Sequence, residues 1–288
     1  MTKTKAMTIQ DFFGQFPDDD ACLDHLFRTR FGDEPVCPKC GQVGKFGRLA
    51  NMPAYTCNCG HHLHPMVDTP FERSRTPLQK WFYAMFLFTT TRNGVAAKEL
   101  QRQLGVTYKT AWRMAKLIRE YMGYVDGEGT LGGRGQAVEV DETFIGGKDK
   151  RGHEDKTVVL GMIERRGEVV TRVVPNRYAK TLVPIIRQCI AEGTRVMTDD
   201  WSTYRGLRNW GFFHESVNHS AKEYVRGDAH TNNIEAFWSG VKRMVKGTHI
   251  WVSPKHLPTY LGEAEFRYNL RNQPQMMFPL LLSAFQRP

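Results

Sequence analysis

No stretch of this sequence could span a bilayer. Its longest near-continuous apolar run, Trp81 to Phe88, covers eight residues, far short of the ~20 that a membrane helix needs. The opening residues, MTKTKAMTIQDFF, lack an apolar leader core, so the expected compartment is the cytoplasm. Nothing repeats internally, and only one glycine-rich stretch breaks the compositional evenness. No motif points to a nucleophilic serine or tyrosine, so a covalent intermediate is not expected. Cysteine is sparse, with six among 288 residues. Four of them, Cys37, Cys40, Cys57 and Cys59, fall within 23 residues. In a reducing compartment such clustering favours a metal over disulfides. Cys22 and Cys189 stand alone and read as buried thiols.

The formal charge is +10, unevenly spread. Residues 1–36 carry 4 basic and 7 acidic side chains, residues 37–124 carry 13 and 4, and residues 125–288 carry 23 and 19. The positive excess therefore sits in the second segment, where a polyanion would be drawn. A solvated basic surface explains the charge alone equally well.

Four regions follow from the patterning. Residues 1–70 read as a helical lead-in, with Phe12, Phe13, Phe16, Leu23 and Leu26 at loosely helical spacing, and a cysteine ribbon. Residues 71–124 read as helical, opening at Thr76-Pro77 with a cap-plus-proline start. Six of the thirteen residues from Gly123 to Gly135 are glycine, which predicts a linker over 125–136 and a domain boundary. Residues 137–288 show β-rich runs at 137–140, 157–164, 168–175 and 195–198. Helical stretches follow at 180–192, 230–246 and 256–269. The expected fold class is α/β, a mixed sheet flanked by helices.

Cys37-Pro-Lys-Cys40-Gly is a tight turn presenting two thiolates, and Cys57-Asn-Cys59 supplies a second pair 17 residues beyond Cys40. Four such ligands form a closed tetrahedral shell, so a structural Zn²⁺ is expected. The one-residue gap in the second pair leaves His61, His62 or His64 as alternative ligands. Residues 96–112 read as two helices joined at Leu104-Gly105-Val106, with Gly105 in the turn and Thr107 capping the second helix. Ala111, Met114, Ala115 and Ile118 form its buried face, and Trp112 is assigned to the core. Tyr108, Lys109, Thr110 and Arg113 project outward, where such a helix meets the major groove. An ordinary helical hairpin is the plainer alternative.

Asp141 ends one buried-looking strand and Asp199 another. Burying a carboxylate is costly unless a cation compensates it. Two at strand ends suggest a shared divalent ion, for which Mg²⁺, or Mn²⁺ in its place, is suited. Glu235 lies on a predicted helix with Asn232 three residues before it and Lys242 seven after, all on one face. Glu139, Glu142 and Asp200 are taken to alternate away from this site and rank second as candidates for it. Lys148, after an expected Gly146-Gly147 turn, could join Lys242 in holding a phosphate backbone.

The order CPKCG, helix-turn-helix, VEVDETFIGGK, TDDWSTY and HTNNIEAFWSGVKR resembles bacterial insertion-sequence transposases of the group named after insertion sequence fifteen-ninety-five. The likeness runs from about Asp11 to Asn272. It implies a ribonuclease H-like fold behind a zinc ribbon and helix-turn-helix, Mg²⁺ dependence, and double-stranded DNA (terminal inverted repeats and target) as partner. Asp141 and Asp199 become the first two acids of a DDE set, with 35 residues between Asp199 and Glu235. In that family an asparagine has been aligned third, which makes Asn232 a candidate; the stronger binding of a carboxylate favours Glu235. The Cys57-Asn-Cys59 pair departs from the family pattern, where two intervening residues are usual. Bringing two ends together implies a dimer or larger assembly. Two rivals remain: a DNA-binding repressor that has lost activity, and a nuclease that cuts without joining.

Overall fold

The computed structural model describes residues 7–127, 129–148, 154–199, 202–217 and 230–283. The chain forms two compact units, one of residues 1–121 with 273–288 and one of residues 122–272. No helix among the described residues is long and apolar enough to cross a membrane.

The first unit opens with α1 (Ile9–Gln15) and α2 (Asp19–Phe31). Strands β1 (Phe46–Arg48), β2 (Tyr55–Cys57) and β3 (His62–Leu63) make a small antiparallel sheet. Three further helices follow, α3 (Leu78–Thr90), α4 (Ala97–Leu104) and α5 (Tyr108–Asp126). The core is aromatic: Phe12, Phe16, Phe71, Trp81 and Phe82 are fully buried. Thr76 does not cap α3. Pro77 is the N-cap without a side-chain bond, and the Asp19 carboxylate accepts from the Gln79 amide at 2.8 Å instead.

The boundaries differ from the expected ones at two places. Residues 273–288, expected in the second domain, cluster with the first unit. Helix α9 (Met277–Ser283) supplies the reason, since its Phe278 ring sits 5.9 Å from both Phe12 and Phe86. The division also falls inside α5 and not in the glycine stretch. Leu131 is buried and exchanges backbone bonds with Cys189 and Ala191, so that stretch is packed into the second unit as a strap.

The second unit is a five-stranded mixed sheet, ordered β6-β5-β4-β7-β8. Strands β4 (Ala137–Lys148), β5 (Glu154–Glu164) and β6 (Val169–Val174) are antiparallel neighbours. After α6 (Ala179–Cys189), strands β7 (Arg195–Asp199) and β8 (Phe213–Val217) run parallel to β4 and to each other. Val138, Val140, Leu160 and Val196 pack under α6 on one face. Ile145, Val159 and Ile163 pack on the other under α7 (Asn232–Arg243) and α8 (Leu257–Asn269). The alternation of buried residues along β4 and β5 sends successive side chains to opposite helical layers. Gly146 and Gly147, expected as a turn, continue β4 in register with Lys156 and Asp155.

Candidate active site and metal centre

The four cysteines converge. Cys37 begins a turn closed by the Gly41 amide on its carbonyl at 2.9 Å, and Cys57 ends β2 in a turn closed by the Gly60 amide at 2.8 Å. Both glycines have positive φ, 73° and 80°, which permits these tight turns. The Cys37–Cys59 and Cys40–Cys57 sulfur pairs lie 3.6 Å apart, and all four sulfurs lie within 4.8 Å of one another. Tetrahedral zinc with bonds of about 2.3 Å sets its sulfurs about 3.8 Å apart, so the four thiolates fit that ion without histidine. The short Cys57-Asn-Cys59 gap is absorbed by the Gly60 turn. This cluster supports a structural Zn²⁺.

Asp199 ends β7, but Asp141, expected at a strand end, lies inside β4, which continues to Lys148 because β5 pairs along its whole length. Glu139 of β4 registers with Met197 of β7, so continuing two residues sets Asp141 beside Asp199. Negative charge on Glu142, Asp199 and Glu235 reaches Asp141, and together with burial, the largest cause, it lifts the Asp141 pKa to about 7. Glu142 is also raised, by burial first and then by Asp199, against the opposing hydrogen bond from Tyr204. The Tyr204 hydroxyl donates to Glu142, and Arg177 pairs with it at 3.6 Å. Among the described residues the carboxylates do not match the compactness of the cysteines. They form an open group around Asp141, not a single closed shell.

Helix α7 delivers Glu235 to this group, and two features that sequence reasoning missed hold the helix there. Glu139 is fully buried and accepts from the Asn233 amide at 2.8 Å, the Asn233 side chain at 2.7 Å and the Ile234 amide at 3.2 Å. Arg165 donates to the same carboxylate at 2.9 Å. Glu139 therefore does not alternate away from the site. It shares the Asp141 face of β4 and is consumed in anchoring the first turn of α7. The second feature is Gly161, which registers with Asp141. A Cβ there would meet the Trp238 ring at 2.3 Å, so glycine allows α7 to lie directly on the sheet. A lone glycine inside the apolar run VVLGMI was the available signal.

Residues 130–269 match the ISXO2-like transposase domain, a DDE domain, and residues 17–62 match a transposase zinc-ribbon domain. The chain belongs to this family of insertion-sequence transposases. A protein in transposable element ISH50 of Halobacterium salinarum is 28% identical, over 90% of this chain and 94% of its own length. A transposase-like protein of Haemophilus influenzae is 34% identical, over 35% of this chain and 81% of its own length. The matched transposase domain contains Asp141, Asp199 and Glu235, and the matched ribbon contains all four cysteines.

The other expected site residues of this transposase family member are placed as follows. Glu235 and Asn232 are exposed on the first turn of α7, where the Thr231 hydroxyl donates to Glu235 at 2.9 Å. Lys242 is exposed in the last turn. Lys148 ends β4, but its side chain lies outside the described residues, as does Asp200. In the first unit, α4 and α5 are joined by a three-residue turn. Gly105 takes the left-handed conformation and the Thr107 hydroxyl accepts from the Thr110 amide at 3.2 Å. Tyr108, Lys109 and Arg113 are exposed, and Thr110 is half-buried. Ala111, Met114, Ala115 and Ile118 are fully buried. Trp112, expected in the core, is 38% exposed, because its position lies off the stripe those four residues define.

Proposed function

We propose that this chain is a DDE transposase that binds double-stranded DNA ends and catalyses metal-dependent strand cleavage and strand transfer. The observation that carries this reading is the approach of Asp141, inside β4, to Asp199, at the end of β7, beneath the turn of α7 that bears Glu235. Three antiparallel strands followed by two parallel ones, with α6 on one face and α7 and α8 on the other, support a ribonuclease H-like fold. The chain's excess of cations and its zinc ribbon support a nucleic-acid partner.

Asp141, Asp199 and Glu235 would together hold the divalent cations. Mg²⁺ or Mn²⁺ bound there would supply Lewis-acid stabilisation of the phosphate and activation of water or a DNA 3′-hydroxyl. Asn232 is the alternative third ligand, weaker for want of charge. Lys242 and Lys148 would hold the substrate backbone. Tyr108, Lys109, Thr110 and Arg113 at the start of α5 would read the transposon end in the major groove. Two ends must be paired, so the working form would be a dimer or larger.

The test is incubation of the full chain with labelled terminal-repeat duplex and supercoiled target in Mg²⁺. Joined products are expected, and Asp141→Asn should abolish them while DNA binding persists. The loss should exceed the roughly 10–100-fold typical of residues behind a metal's ligands. Cutting without joining would assign a nuclease, and tight binding without either would assign a repressor.

A further inference from the structure

Helix α7 changes character at its C-terminal end. Residues Met244–His249 widen into a π-helical turn. The chain then reverses through a γ-turn, in which the Trp251 amide donates to the His249 carbonyl at 2.7 Å. Ile250 sits at its centre with φ 66° and ψ −52°. This positive-φ turn is rare and strained, and a β-branched side chain makes it a true outlier. Such strain persists only where the surroundings impose it, and it concentrates at functional sites.

The surroundings do impose it. The His249 ring packs edge-on against Tyr260 at 4.7 Å, and Val252 is buried in the core beneath α7 and α8. Between these two anchors the turn pushes Ile250 to 83% exposure and Trp251 to 55%. The charge along this stretch of chain has one sign. No Asp or Glu occurs between Glu235 and Glu263, while Lys242, Arg243, Lys246 and Lys255 are all exposed there. An apolar pair in a chain segment whose exposed acid–base side chains are cations matches a partner with an anionic rim and apolar, stackable faces inside. A duplex is such a partner.

We propose that Ile250 and Trp251 form a wedge that enters the base stack of bound DNA and opens a base pair away from the scissile phosphate. The proposal rests on the DNA-cleaving reading of Asp141, Asp199 and Glu235. At 1.5 Å per residue the wedge lies roughly 20 Å from Glu235 along the helix axis, about six base pairs of duplex. Lys242, Arg243 and Lys246 fall between and hold the intervening phosphates. Apolar side chains inserted between base steps unstack and kink a duplex.

The experiment uses the full chain and terminal-repeat duplexes with 2-aminopurine scanned from about three to nine base pairs on each side of the cut. Without added divalent metal, one position should brighten on binding, and Ile250→Gly or Trp251→Ala should abolish that signal. Ile250→Gly removes the strained side chain, so its melting temperature should equal or exceed that of the unaltered protein. In Mg²⁺ both variants should cleave paired ends about tenfold more slowly and recover on a duplex mismatched at the bright position. Rescue by the mismatch is a readout that a purely structural role would not move. The wedge is overturned if the unaltered protein cleaves and joins without any position brightening. It is equally overturned if the substitutions convert a dimer to monomer while cleavage is unaffected, which would assign the surface to a second copy. A protein that brightens the probe yet never cuts would overturn the transposase reading and leave the wedge standing.

Discussion

Glu139 and Asp141 lie two residues apart on one face of β4, and their surroundings assign them opposite tasks. Glu139 is paired with Arg165 and fully hydrogen-bonded by the start of α7. Glu139→Gln should destabilise the fold by on the order of 3 kcal/mol in urea titration, because Arg165 loses its carboxylate in a largely buried setting. Asp141 instead faces other acids, and its pKa stands at about 7 for reasons of burial and repulsion. A carboxyl raised in the folded state holds a proton that the unfolded chain has already released. In metal-free protein its contribution to stability is therefore present at low pH and lost as pH rises through about 7. A bound cation reverses that preference, so Mg²⁺ should raise the melting temperature more at pH 8 than at pH 6. Asp141→Asn should remove the difference. An equal Mg²⁺ effect at both pH values would show that Asp141 is not a ligand.

At the scale of elements, the site depends on how closely α7 lies on the sheet. Gly161 sets that distance opposite Asp141, with Trp238 filling the space a side chain would take. Gly161→Ala should cost about 1–3 kcal/mol by overpacking and should lower strand cleavage further than stability alone explains, by lifting Glu235 from the acids. Adding Trp238→Leu should restore part of both. If Gly161→Ala cleaves normally, the close approach of α7 is not what positions Glu235. The helices themselves were legible: α3 shows as WFYAMFLF, and α5 shows its buried stripe at Ala111, Met114, Ala115 and Ile118. Strand β8 was not. Its sequence, FHESV, alternates too weakly to be distinguished from a loop, and only pairing with β7 makes it a strand.

The whole molecule carries a net charge of +10, with 13 basic against 4 acidic residues in 37–124. DNA affinity should therefore fall steeply with salt. Lys109→Ala and Arg113→Ala should each reduce the slope of log K against log salt by about 1 if they meet phosphates or guanine edges. An unchanged slope would place the start of α5 away from the DNA.

What the sequence determined by itself was chemistry that depends on short spacings. The paired cysteines and the Gly105 turn declare themselves within a few residues, where backbone geometry leaves little choice. Tertiary structure decided the rest, since those outcomes turn on partners distant in the chain. Gly146-Gly147 looked like a turn until β5 paired across it. The glycine stretch looked like a linker until Leu131 found Cys189. Glu139 looked turned away from the site until α7, more than 90 residues later, set its first turn upon it.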